Sequence, residues 1–307
     1  MSMAKRRRTF RPAQQSGGGE ETMAYRIFTD AAADPGQFAA HVEVIPMTVR
    51  IGGRDFLYGP GGNLTVREFY RLRGKGMPVQ TAGISPESYR RAFTPCLERG
   101  LDLVYLSFSS GLSGTYASAR LCARELREQY PDRQILCVDT LCASAGQGFL
   151  VREAAQRQAA GFSAQELAGW AEDHRLAVCH WFTVDTVTYL RQGGRLGAAV
   201  AAAGTALNIN PLLHLDRGGR LALAGRARGR KNAIEMQAQK LRNGWEPNCG
   251  RRVSVAHAAD PAGAEQLRCA IAREFPKAEI DTVEIGPVIG AHTGPGMLAV
   301  LYWGSNR

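Results

Sequence analysis

The 307-residue chain, 45% hydrophobic and 8% aromatic, is long enough for two domains that each bury a core. Its formal charge of +10 would suit a nucleic-acid partner, but five basic residues cluster between Lys5 and Arg11 and the other arginines lie mostly scattered along the chain. Without zinc-finger spacing, an RNA-binding aromatic signature, a membrane-length apolar run or a signal-peptide core, the expectation is a soluble cytoplasmic protein that binds no nucleic acid and has no stable membrane insertion.

Residues 1–22, ending Gln-Gln-Ser-Gly-Gly-Gly-Glu-Glu-Thr, lack apolar periodicity and are expected to be disordered. Tyr25 to Thr29 reads as a first strand, with Asp30-Ala-Ala-Ala-Asp34-Pro35 as the turn after it. Val42 to Ile51 is strand-like. Thr65-Val-Arg-Glu68 is a capping box that opens a helix through Leu72, and Ser85-Pro86-Glu87 opens another with proline at the first helical position. A strand from Leu101 to Phe108 leads into a helix ending near Gln129. Ile135 to Asp139 and Ser144 to Ala160 repeat the pattern. This β-α alternation predicts a mostly parallel sheet flanked by helices over 23–160.

Ser163-Ala-Gln-Glu166 caps a helix to about His174, and a second α/β domain is expected over 161–307. Val178 to Phe182 is a strand, and Val184 to Arg191 a short helix ended by Gly193 and Gly194. A small-residue run follows from Leu196 to Leu207. Leu212 to Leu215, Gly218-Gly219 and Leu221 to Ala224 read as a hairpin. A helix at Asn232 to Leu241, a strand at Val253 to His257 and a helix at Ala262 to Phe275 come next. Strands at Ile280 to Ile285 and Leu298 to Trp303 complete the series.

The most informative segment is the loop Ser109-Ser110-Gly111-Leu112-Ser113-Gly114-Thr115, which joins a strand to a helix. Four hydroxyls and the backbone N–H groups of a helix start predict an anion site built from neutral donors, with no lysine or arginine in it. It lacks the lysine of a P-loop and the G-x-S-x-G spacing of a hydrolase elbow. Gln80-Thr81-Ala-Gly-Ile-Ser-Pro86 and Asp139-Thr-Leu-Cys-Ala-Ser-Ala-Gly146-Gln-Gly148 are two further hydroxyl loops. On the same sheet edge, the three would form a donor-rich cup. Ile285-Gly-Pro-Val-Ile-Gly-Ala-His292-Thr-Gly-Pro-Gly296 reads as a rigid glycine loop around one histidine. Seven cysteines without a C-x-x-C read as small buried hydrophobes, so neither disulfide, metal nor cofactor is expected.

Taken in order, these segments resemble the bacterial DegV family over nearly all of 23–307. The resemblance is carried by Tyr25 to Asp34, Val44 to Gly53, Ser109 to Ala119, Tyr189-Leu-Arg-Gln-Gly-Gly-Arg-Leu196 and Ile285 to Gly296. It implies a two-domain α/β fold with a ligand tunnel between the domains. It also implies one buried long-chain fatty acid whose carboxylate is held by Thr81 and Ser110, among Ser109, Gly111, Ser113, Gly114, Thr115 and His292. By the same resemblance, the protein is no enzyme itself but serves as the acyl-carrying subunit of a fatty acid kinase, with Arg195 and Arg228 facing the carboxylate end or the partner. The sequence departs from the family at Thr81-Ala-Gly-Ile-Ser-Pro86, which lacks the usual middle of Thr-Ser-Gln-Pro-Ser-Pro. It departs again at Asp30-Ala-Ala-Ala-Asp34, which lacks two hydroxyls.

The chemistry is consistent with that. Each buried methylene contributes about 0.8 kcal/mol, so a sixteen-carbon chain gains roughly 10 kcal/mol before ordering costs. The carboxylate must find donors. Neutral donors also leave its oxygens nucleophilic toward a phosphoryl group. The alternative class is an acyl hydrolase or transferase with Ser110 or Ser113 as nucleophile and His292 as base. A nucleotide-binding kinase ranks below both, for lack of a phosphate lysine.

Overall fold

The computed structural model describes residues 24–34, 42–195, 197, 208–305 and 307. The expected disorder of 1–22 lies outside them, as does the run from Leu196 to Leu207 apart from Gly197. The first sheet is built from β1 (Tyr25–Asp30), β2 (Glu43–Ile45), β6 (Asp102–Ser107) and β7 (Ile135–Asp139) in the order β2-β1-β6-β7. Every pairing is parallel. Burial alternates sides along β6. Leu103 and Tyr105 pack with Tyr89, Phe93 and Cys122 of α2 (Pro86–Glu98) and α3 (Thr115–Gln129). Val104 and Leu106 pack with Phe149, Leu150 and Leu167 of α4 (Ser144–Ala159) and α5 (Ala164–His174). A parallel sheet covered on both faces needs apolar residues at consecutive positions, as Leu-Val-Tyr-Leu supplies.

The single strand expected over Val42 to Ile51 is two strands in two different sheets. Pro46 lies between β2 and β3 (Met47–Ile51), where it offers no N–H to continue a ladder. β3 pairs instead with β4 (Arg54–Tyr58) and β5 (Val79–Thr81), forming a small antiparallel sheet that the sequence reading missed. α1 (Val66–Gly74) starts at Thr65, whose hydroxyl accepts from the Glu68 N–H.

The second sheet has the order β10-β9-β8-β13-β11-β12, from β8 (Val178–Thr183), β9 (Ile209–Leu215), β10 (Leu221–Arg228), β11 (Arg252–His257), β12 (Glu279–Glu284) and β13 (Leu298–Trp303). Its pairings are antiparallel except β11 with β12. The hairpin read around Gly218-Gly219 is β9–β10. Between the strands run α6 (Thr188–Gln192), α7 (Arg230–Gly244), α8 (Pro261–Glu274) and α9 (Pro287–Thr293). The rigid glycine loop expected around His292 is thus a helix. Pro287 occupies its first turn, and Gly294, at φ +71, ends it. α5 packs against β6 and β7 of the first sheet.

Candidate ligand-binding site

Between the sheets lies a concave cavity, part of it open to solvent. Its wall is largely apolar, with Phe108, Leu112, Phe182, Leu190, Ile289 and Met297 among the lining residues. Thr81, Ser113, Arg195 and His292 line it as well. Thr81 ends β5 and His292 lies on α9. Thr81 Oγ1 and His292 Nε2 are 2.7 Å apart, a hydrogen bond across 211 residues. Ser113 sits nearby, since a Cβ at Gly83 would lie 4.0 Å from its Oγ.

Burial pushes the His292 imidazole down to about 4, helped by the charges of Arg195 and Arg73, so it is neutral at neutral pH. Its Nδ1 is buried and has no hydrogen-bond partner among the described residues. A Cβ at position 193 would fall inside the imidazole, so the glycine lets the backbone lie against the ring. Arg195 donates from Nε to the Leu112 carbonyl at 3.1 Å and from a terminal nitrogen to the Gly193 carbonyl at 2.6 Å. It thereby joins the Ser109–Thr115 loop to the end of α6. The loop itself holds no arginine, but Arg195, which the family resemblance puts near the carboxylate end or the partner, lines the cavity from 80 residues downstream. Arg73 is buried, donates to the Met77 carbonyl and lies 4.2 Å from the Tyr189 ring centroid.

The Ser109–Thr115 loop does follow its strand into a helix, but its donors are largely spent inside the protein. Ser109 is buried, donates to the Gly219 carbonyl at 2.8 Å and accepts from the Gly111 N–H. Leu112 and Ser113 N–H groups donate to the Ser109 carbonyl. The Thr115 N–H donates to Ser113 Oγ, and that hydroxyl lies 2.8 Å from Thr115 Oγ1. The Ser110 N–H donates to the Asp139 carboxylate, and its side chain is exposed. Ser110 is not among the cavity's lining residues, whereas Ser113 is. Gly114 is exposed and Thr115 buried at the helix start. Gly111 packs against Gly218 and Gly219, which leaves no room for a side chain. The expected cradle of free backbone N–H groups is therefore a self-satisfied loop pinned to the β9–β10 turn. Arg228 is exposed on β10, away from the cavity lining.

Behind the loop, Asp30 is fully buried and accepts from Tyr105 Oη, the Phe108 and Ala32 N–H groups and Gln147 Nε2. It thus fixes where β6 turns into the loop. Ser144 and His180 are cavity residues that the sequence reading did not single out as binders. Ser144 belongs to the third hydroxyl loop, which was a usable signal. His180 lies in a strand buried on both faces, where no periodicity marks it. The cup expected from three loops on one sheet edge is corrected too, because Thr81 comes from the small β4-β3-β5 sheet. Among the described residues, no group of three His, Cys, Asp or Glu could hold a metal ion, and no helix is long and apolar enough to cross a membrane.

A family model described as an uncharacterised protein of the DegV family matches residues 24–304. A DegV domain-containing protein of Clostridium perfringens is 35% identical over 284 residues, covering 92% of this chain and 98% of that protein. Among solved structures, a fatty-acid-binding DegV family protein from Thermus thermophilus is 30% identical. It has a TM-score of 0.81 and covers 92% of this chain and 100% of that one. A DegV lipid-binding protein from Thermotoga maritima is 27% identical with a TM-score of 0.78, covering 93% and 100%. The mixed α/β fold, the match along almost the whole length and the identity to these relatives agree, and the chain belongs to the DegV family.

Proposed function

We propose that the cavity binds one long-chain fatty acid, with its carboxylate at Thr81 and Ser113 and its chain along the apolar wall. The observation that carries this reading is the Thr81–His292 hydrogen bond in the lining of a largely apolar cavity. An apolar cavity with a few convergent donors suits an amphiphile whose single polar group is an anion.

His292 gives Thr81 its direction. An N–H at the partnerless Nδ1 would be an orphaned buried donor, which proteins avoid more strongly than a bare lone pair. With the proton on Nε2, His292 donates to Thr81 Oγ1 and leaves the threonine hydroxyl free to donate to the ligand. Arg195 adds positive potential while two of its nitrogens are held by carbonyls. The related Thermus thermophilus protein, described as fatty-acid-binding, supports the ligand class.

The finer part of the reading is presentation of this carboxylate to a separate kinase, with Arg228 on the partner-facing side. It rests on the resemblance in sequence and on the largely neutral donor set. The hydrolase alternative loses ground because His292 is engaged by Thr81 and has no acceptor orienting its Nδ1. The test is binding of palmitate to delipidated protein. Hydrogen bonds to a charged group contribute about 1.5–3 kcal/mol each, so Thr81→Val with Ser113→Ala is expected to weaken binding at least tenfold. Unchanged affinity in that variant would sink the assignment.

A further inference from the structure

Asp34 is buried at the end of the 3-10 turn Ala31–Ala33. Its carboxylate reaches two helix starts that are far apart in sequence. One oxygen accepts from Ser144 Oγ at 2.6 Å, at the first residue of α4. The other accepts from the Gly286 N–H at 2.9 Å, at the cap of α9. Both helices line the cavity, α4 through Ser144 and α9 through Val288, Ile289, His292 and Thr293.

The backbone is strained on both sides of the first of these bonds. Asp34 has φ +45 and Ser144 φ +54, left-handed conformations that side-chain-bearing residues rarely adopt. Such strain persists only where the surroundings over-determine it, and it concentrates at functional sites. Gly286 is tailored to the same contact, since a Cβ there would lie 2.6 Å from Asp34 Oδ1 and collide with Tyr58 Oη.

We propose that Asp34 is a positioning residue for the ligand site: by tying the start of α4 to the start of α9, it holds the two cavity-forming helices in their binding arrangement. This inference rests on reading the cavity as a fatty-acid site. The titratable groups around Asp34 are Asp30 on its own turn, Tyr58 of β4 and Tyr70 of α1, with Glu284 of β12 acting on the two tyrosines. α4 and α9 present Ser144 and a backbone N–H to it, with Arg152 and His292 about two turns further along those helices. Burial and the Asp30 charge push Asp34 up to about 7, against the pull of its two hydrogen bonds. Because burial makes the closed state hold this proton more tightly than an exposed carboxyl would, ionisation favours opening, and the tie loosens as pH rises.

The test is release of deuterated palmitate from the full chain between pH 5.5 and 8.5. The wild type is expected to release several-fold faster as pH rises through about 7. Asp34→Asn, which keeps the acceptor but cannot ionise, should show a flat profile. Ser144→Ala should release faster throughout. Release profiles of both variants that coincide with the wild type would overturn the proposal. A second measurement, on lipid-free wild type, is hydrogen exchange at the Gly286 amide, corrected for intrinsic rate. Protection that falls as pH rises supports the tie, and protection independent of pH overturns it. If the wild type binds no palmitate, the fatty-acid reading fails and the amide measurement alone decides the role of Asp34.

Discussion

In the proposed fatty-acid site, His292 is useful because it is kept uncharged. A protonated imidazole would compete with Thr81 for the ligand's carboxylate, whereas the neutral ring spends its one N–H on orienting the threonine. Gly193 makes that possible by letting backbone pack on the ring edge. Gly193 has φ −77, so alanine there meets no backbone strain and its only cost is the displaced imidazole. We expect Gly193→Ala to lower palmitate affinity about tenfold, with a change in Tm of a few degrees; titration calorimetry and thermal melts on the same sample separate the two. At this scale the sequence was a partial guide. Thr81 and His292 were legible as a hydroxyl and an imidazole in glycine-rich surroundings. The choice of Ser110 over Ser113 was not decidable, because four hydroxyls within seven residues differ only in the direction that the folded loop gives them. Nothing local ties Arg195 to Leu112 either.

At the scale of elements, α4 shows why its glycines override helix propensity. Alanine at 146 or 148 would favour an isolated helix by about 1 kcal/mol per position. In the fold, a Cβ at Gly146 would fall on His180 of β8, and one at Gly148 would lie 2.5 Å from the Ala33 carbonyl. The helix start must lie close to both sheets for Ser144 to reach Asp34. Gly146→Ala is therefore expected to destabilise by about 2–3 kcal/mol, as overpacking does. Gly146→Ala combined with His180→Ala should recover most of that, giving a coupling energy that a double-mutant cycle in urea would measure. Additive effects would show that the contact does not limit the packing. The helices and long strands were readable because their caps and apolar runs are local signals. β4, β5 and α9 were not, since strands of five and three residues and a seven-residue helix owe their existence to neighbours.

Across the whole molecule, two buried groups set opposing pH dependences. His292 is lowered from its ordinary value to about 4, so between roughly pH 6.5 and 4 the unfolded chain binds a proton that the folded one refuses. Stability falls there as pH falls, by about 3 kcal/mol. Asp34 is raised to about 7, so between roughly pH 4 and 7 the folded chain keeps a proton that the unfolded one loses. Stability falls there as pH rises, by about 4 kcal/mol. Asp34→Asn is expected to raise Tm more at pH 8 than at pH 4.5, and His292→Gln to raise it more at pH 4.5 than at pH 8. Melts of the lipid-free protein at both pH values check this.

What the residues determined alone was the order of the long strands and helices, the family resemblance and the pool of hydroxyls, histidine and arginines from which a site is drawn. These follow from local periodicity, capping and motif spacing. The tertiary structure decided which members of that pool share a cavity. It brought Thr81 of the small sheet onto His292 of α9, turned the Ser109 loop's donors inward, exposed Ser110 and brought Arg195 onto the Leu112 carbonyl. It also joined Asp34 to Ser144 and Gly286 across 110 and 252 residues. Contacts of that separation depend on how two sheets pack, and packing is a property of the whole buried surface rather than of any segment.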